Sequence, residues 1–268
     1  MTVCVAALCG EGEDPRVVVA ADHLVTSGGF MEFEHPGSKI VKLCDQALVM
    51  VAGNTNDGMR LVNEAAADMS DEEIVISDLA EDLGRRYAAA RLRRAEQGVL
   101  VSRGLNFETF YKMHAQLNPQ VVMLLDNALG EWALGVELLL AGVDDTGGHI
   151  HTNADPGGGN QDHGPIGWAA IGTGAVHVLQ SMAGFGHGSD ASYGQTLFRV
   201  YASKVRAEVA PGVGHETDVA VISREGIKRL TAKELEDLGK IYDNFVSTTD
   251  SELAKQLDAF DPEGDSNA

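Results

Sequence analysis

The sequence predicts an α+β protein in which two antiparallel sheets pack together with helices outside both. Three observations carry this. Near-continuous apolar runs come in pairs at the start of the chain, as strands buried on both faces do. Capped helical stretches then follow as a block. A second set of strand pairs returns later, with helices between and after them. Blocks of strands separated by blocks of helices imply stacked layers.

The elements justify themselves in order. Residues 2–9 read as a buried strand, 10–15 as a polar turn and 16–21 as a second strand ended by Asp22. A carboxylate at the buried end of an apolar strand needs a partner, or it caps the turn. Residues 39–43 and 46–52 form the next pair, joined by Cys44-Asp45, and a helix spans 55–69. Gly53 sits at that strand-to-helix turn. Backbone N–H groups there are unpaired, point outward and can receive an oxyanion; a tight turn alone would also ask for glycine. Ser70-Asp71-Glu72-Glu73 fits a capping box, and Asp78 with Glu81 fits another start, for a helix running to residue 97. Its Arg85, Arg86, Arg91, Arg93 and Arg94 form a basic face, either solvated or turned to a neighbouring subunit. Residues 106–118 read as helix, and 121–126, 132–143 and 149–154 as strands. The polar, glycine-rich stretch 155–164 reads as a flexible loop. Residues 166–171 form a strand before Gly172-Thr173-Gly174, and a helix starts near Ala175. A glycine-rich loop spans 183–190 and a helix 191–208. The last strand pair is 218–224 and 227–230. Thr231 with Glu234, and Thr249 with Glu252, fit capping boxes of two C-terminal helices. One domain over residues 2–260 with an acidic, disordered tail over 261–268 is expected.

Composition narrows the function. The net charge is −20, from 40 acidic and 20 basic residues. That argues against a nucleic-acid partner, which requires a basic face, and against an anionic membrane surface. No apolar run reaches the ~20 residues of a membrane span, and no signal-peptide pattern opens the chain. A cytoplasmic location is expected. Cys4, Cys9 and Cys44 lie in apolar runs and read as buried reduced thiols. His149, His151 and His163, near Asp155 and Asp162, invite a metal reading, but ligands on a glycine-rich loop lack the fixed surroundings that metal sites use. No metal is expected. Gly157-Gly158-Gly159 does not join a strand to a helix as a dinucleotide fingerprint does, so no cofactor is expected.

The chemistry gathers at Thr2. Initiator methionine is usually trimmed before a small residue, which would leave hydroxyl and α-amine on one residue. An α-amine titrates at roughly 7.7–8.0, so it can take the hydroxyl proton without a separate histidine.

The N-terminal half resembles the β-type subunits of the proteasome family, within the N-terminal nucleophile hydrolases. The matching features are Thr2 opening a strand, Val17-Val18-Val19-Ala20-Ala21-Asp22 with Thr26-Ser27-Gly28 after it, Lys39-Ile40, and Val51-Ala52-Gly53 before a helix. Ile171-Gly172-Thr173-Gly174 resembles the family's Gly-Ser-Gly turn, and Asp218-Val219-Ala220-Val221-Ile222 its late strand. The resemblance implies a four-layer αββα sandwich. It implies Thr2 as nucleophile with its own amine as base, Lys39 as the cation beside the hydroxyl and Asp22 as its partner. Gly53 N–H would receive the oxyanion, and Thr173 would stand where a serine bonds the α-amine. It further implies a peptide or amide substrate and a homo-oligomeric ring. One departure stands out: the family's Asp and Ser, three residues apart before the late strand, read here as Ala210 and Val213. With the long region up to Asn118, this suggests a divergent, standalone bacterial or archaeal branch. A threonine peptidase is the leading expectation. Its rivals are a small-molecule amidase or acyl-transferring ligase on the same site, and an inactive structural ring subunit.

Overall fold

A computed structural model of the chain describes residues 2–10, 14–27, 31–69 and 74–258. Along the chain, β1 (Cys4–Cys9) and β2 (Arg16–Asp22) are followed by a small hairpin, β3 (Leu24–Ser27) and β4 (Met31–Glu34), then β5 (Ile40–Cys44) and β6 (Ala47–Gly53). Four helices come next: α1 (Thr55–Ala67), α2 (Ile76–Ala95), α3 (Phe107–Met113) and α4 (Pro119–Gly130). Strands β7 (Val136–Asp144), β8 (Gly147–Ala154), β9 (Gln161–Asp162) and β10 (Trp168–Ile171) lead to α5 (Ala175–Gly184) and α6 (Tyr193–Ala207). Strands β11 (Thr217–Ser223) and β12 (Gly226–Arg229) close this unit.

The strands form two five-stranded antiparallel sheets, ordered β10-β1-β2-β11-β12 and β5-β6-β7-β8-β9, beside the β3–β4 hairpin. Alternation along each strand splits its side chains between two faces. Cys4, Ala6 and Leu8 of β1 and Val17, Val19 and Ala21 of β2 meet Leu48, Met50, Leu139 and Ala141 of the second sheet. The other face of that sheet, with Val49, Val51, Leu138 and Leu140, packs on Leu61, Leu79, Leu83 and Tyr87 of α1 and α2. Helices α5 and α6 contact the first sheet. The fold is therefore the four-layer αββα sandwich. Central strands covered on both faces explain why the runs in β1 and β2 are apolar almost throughout.

Several expectations need correction. Residues 121–126 are not a strand but part of α4, where Asn118 accepts from the Gln120 N–H at 2.9 Å and Pro119 occupies the first turn. Leu125 and Leu129, four apart, turn inward onto Phe110 and Leu100 in a satellite core. A short apolar run does not by itself distinguish strand from buried helix. The capping box at 70–73 lies outside the described residues. Helix α2 begins at Ile76 with no side-chain cap from Val75, and the Ile76 N–H donates to Asp144 Oδ2 at 3.0 Å. The basic face is largely spent within the chain: Arg85 and Arg86 pair with Asp82, Arg94 with Asp57, and Arg91 donates to the carbonyls of Gly130 and Trp132. The stretch 155–164 contributes β9, which pairs with β8.

Among the described residues of the second unit, Leu230–Ala268, there is one helix, α7 (Ala232–Asp258), not two. Thr231 and Glu234 form the expected reciprocal cap. Thr249 lies mid-helix, and its hydroxyl donates to the Phe245 carbonyl at 2.8 Å. The tail over 261–268 lies outside the described residues.

Leu139 is fully buried between the sheets, whereas Leu124 on α4 is 64% exposed. Leu139→Ala should lose about 2–5 kcal/mol and Leu124→Ala no more than about 0.5 kcal/mol. Urea midpoints at unchanged slope report both.

Candidate active site

Thr2 stands at the head of β1, where the first sheet meets the turn after β10. Its nitrogen donates to Thr173 Oγ1 at 3.1 Å, and its carbonyl accepts from Thr173 Oγ1 at 3.2 Å and from the Gly174 N–H at 3.1 Å. Gly172 makes this approach possible. Its φ is +90°, and a Cβ there would collide with the Thr2 carbonyl. Glu137 of β7 reaches across from the second sheet and accepts the Gly172 N–H at 2.7 Å.

The Thr2 hydroxyl lies between opposite charges. It donates to Asp22 Oδ1 and accepts from Lys39 Nζ. Lys39 Nζ also donates to Asp22 Oδ1 at 2.7 Å. Asp22 ends β2 and is fully buried. Its Oδ1 further accepts the Val3 N–H at 2.9 Å, and its Oδ2 accepts the N–H groups of Leu24 and Gly214 at 3.1 and 3.0 Å. Burial pushes its pKa up. The Lys39 charge, the hydrogen bonds from Lys39 and Thr2 and the Gly214 N–H outweigh that and hold it below the usual carboxylate range. Asp22 is therefore a fixed anion, and Lys39 meets the threonine oxygen as a cation.

A cavity of about 490 Å³ opens beside these groups, lined by Thr2, Lys39 and Gly53 among others. Leu24, Val25, Phe33, Val51 and Met59 supply apolar wall, His35, Thr26 and Asn56 polar positions, and among the described residues no carboxylate lines it. Gly53 adopts φ +83°, which an L side chain rarely takes, and a Cβ there would collide with the Gly135 carbonyl. That carbonyl accepts the Asn54 N–H at 2.6 Å. Behind it, Asp155 accepts the N–H groups of Leu134 and Gly135 at 2.9 and 2.7 Å, and the buried Tyr87 hydroxyl donates to the Val136 carbonyl at 2.8 Å. The glycine turn is thus backed by β7 and braced from α2 and the end of β8.

Thr2, Asp22, Lys39 and Thr173 are joined by direct hydrogen bonds, and Gly53 lines the same cavity. Sequence reasoning missed Glu137 and Lys204, and it met Asp155 only beside the histidines, not as support for the glycine turn. Lys204 left a signal: Thr196, Val200 and Lys204 recur every fourth residue on the inner face of α6, so a lysine stands where an apolar side chain is expected. Ala210 and Val213 are buried and apolar, as the sequence reads. Cys4, directly beneath Thr2, is core: burial pushes its thiol up to about 12. The 183–190 segment packs against the far end of β1, His187 facing the Leu8 carbonyl at 3.2 Å, away from the cavity. His149 contacts Asp144 at 2.9 Å and His163 contacts Thr152 at 2.8 Å. Among the described residues no group of three or more His, Cys, Asp or Glu is placed to hold a metal ion. No helix among them is long and apolar enough to cross a membrane.

Residues 4–102 match the family model described as proteasome subunit. The matched segment contains Asp22, Lys39 and Gly53 and begins two residues after Thr2. No curated protein matches the chain.

Because the Asp22 pKa is depressed on folding, its contribution to stability is present above the unfolded carboxylate value and lost as pH falls through the folded one. Urea midpoints of the wild type should fall as pH drops below about 4. Asp22→Asn should be less stable at pH 7 and show a shallower decline in that acid range.

Proposed function

We propose that this proteasome-subunit-like chain, so assigned through residues 4–102, is an N-terminal-threonine amidohydrolase that cleaves peptides through an acyl-enzyme on Thr2. The family supports peptidase-type hydrolase chemistry in general. The observation that supports the finer reading is the Thr2 hydroxyl oxygen held between the Lys39 ammonium and the Asp22 carboxylate, at the edge of an apolar-walled cavity.

In this reading removal of Met1 turns the Thr2 nitrogen into a free amine, held by Thr173. Lys39 favours the alkoxide and lowers the hydroxyl pKa. Oγ attacks the amide carbon, and the carbonyl π electrons move to oxygen, where the Gly53 N–H receives the charge. The hydroxyl proton passes to the α-amine and then to the leaving nitrogen as the C–N bond breaks. An ester on Thr2 remains. Water attacks that ester and gives its proton to the amine, which returns it to Oγ, and a carboxylic acid leaves. The wall of Leu24, Val25, Phe33, Val51 and Met59 suits an uncharged, apolar side chain next to the scissile bond. In this reading the enzyme is a cytoplasmic homo-oligomeric ring.

The apolar Ala210 and Val213 favour a second reading, an inactive ring subunit. Turnover of fluorogenic peptide amides decides between them. Leucine or phenylalanine before the cleaved bond should give cleavage, aspartate there little. Thr2→Ala should abolish it, and Lys39→Ala should reduce kcat on the order of 10²–10⁴-fold. Unchanged turnover in Thr2→Ala would contradict the mechanism. Light scattering should find an oligomer; a monomer of 28.4 kDa alone would remove the ring from the account.

A further inference from the structure

Lys204 is fully buried on the sheet-facing side of α6. Its ammonium donates to Glu208 Oε1 at 2.7 Å, to the Gly214 carbonyl at 2.8 Å and to the His215 carbonyl at 3.0 Å. Three donors thus meet three acceptors. Burial pulls the lysine pKa down, against Glu208, Asp22 and Glu34, which favour its charge. A lysine inside a sandwich is costly, and the packing around it does not call for one, since Val200, Ser203 and Ala207 beside it on the helix are small or apolar.

What the lysine holds is the segment behind the candidate nucleophile. The Gly214 N–H donates to Asp22 Oδ2 at 3.0 Å, and the His215 N–H donates to Glu34 Oε1 at 2.9 Å. Glu208 completes the clamp, its other oxygen meeting the His215 ring at 2.7 Å. The backbone at 214–215 is therefore fixed from α6 by Lys204 and from β4 by Glu34, and it passes one N–H to Asp22. Ala210 and Val213, on the same segment, carry no group able to do this.

We infer that Lys204, seated by Glu208, is a positioning residue for the Thr2 reaction: it holds the Gly214 N–H against Asp22, and so fixes the carboxylate that aligns Lys39 and the threonine hydroxyl. It takes over support that the resembled family draws from the positions occupied here by Ala210 and Val213. The inference rests on the reading of Thr2 as nucleophile. The charged groups facing Asp22 are Lys39 ahead of β5, Lys204 on α6 and Glu34 on β4, with His23 next in the chain, its ring 3.1 Å from Asp218. Loss of the Lys204 cation and of the Gly214 N–H would both disfavour the ionised carboxylate, so Asp22 should take up its proton at higher pH, and the acid-side fall in stability that it carries should begin at higher pH.

The test uses the full chain in three forms: wild type, Lys204→Met, and Lys204→Met with Glu208→Gln, which leaves no unpaired buried charge if the single variant fails to fold. A β-lactone probe that acylates N-terminal threonine reads the site directly, and peptide turnover gives kcat and KM across pH. The folded variant should lose kcat on the order of 10–100-fold with KM little changed, acylate more slowly, and lose stability at a higher pH than the wild type on acidification. A folded variant with wild-type kcat and acylation rate overturns the inference alone. So does a loss that follows only the unfolded fraction. A wild type that the probe does not acylate overturns the nucleophile reading and this inference together.

Discussion

Everything at the candidate site depends on keeping one carboxylate ionised where water does not reach it. Asp22 accepts from the Thr2 hydroxyl, the Val3 N–H and the Lys39 ammonium on one oxygen, and from the Leu24 and Gly214 N–H groups on the other. These donors come from the head of β1, the approach to β5, the start of β3 and the segment before β11. An isolated buried carboxylate would take up a proton. Surrounded in this way it stays charged and ties four chain segments to one point. Removing any donor leaves part of the anion unpaired, which is why the neighbourhood is expected to tolerate little change.

The two sheets divide the remaining work. The first carries Thr2 and Asp22 on adjacent strands, β1 and β2, whose register sets Cys4 opposite Ala21. The second carries Gly53 at the end of β6 and Glu137 on β7, and Glu137 crosses to the Gly172 N–H behind Thr173. Nucleophile, turn and glycine N–H are thus positioned by sheet registers and two crossing carboxylates, Glu137 and Asp22. Rigid elements hold such a constellation more closely than loops do. The cavity wall draws on β3, β4, β6 and α1, so the same packing that closes the core shapes the space beside Thr2.

Much of this was legible in the sequence where local chemistry decides it. The doubly buried strands, the Gly53 turn and the Thr231 cap are local patterns with local causes. The proteasome resemblance added Lys39 with its Asp22 partner, and Thr173, which no nearby residue singles out. Legibility failed where tertiary partners decide. Residues 121–126 look like a strand until the satellite core shows Leu125 and Leu129 on one helical face. Thr249 looks like a cap until its hydroxyl is found bonded back to Phe245. Glu137 with Gly172, and Asp155 with Leu134 and Gly135, join residues far apart in the chain, and no single-sequence pattern pairs them.

The central claim is that Thr2 becomes the chain's N-terminal residue and its nucleophile. Intact mass followed by peptide mapping, before and after exposure to a peptide epoxyketone, tests it most directly, because that group closes a ring with both the hydroxyl and the α-amine of an N-terminal threonine. The account predicts a chain lacking Met1 and one adduct per chain, mapped to Thr2. Met1 retained, or an adduct mapped to another residue, would contradict it.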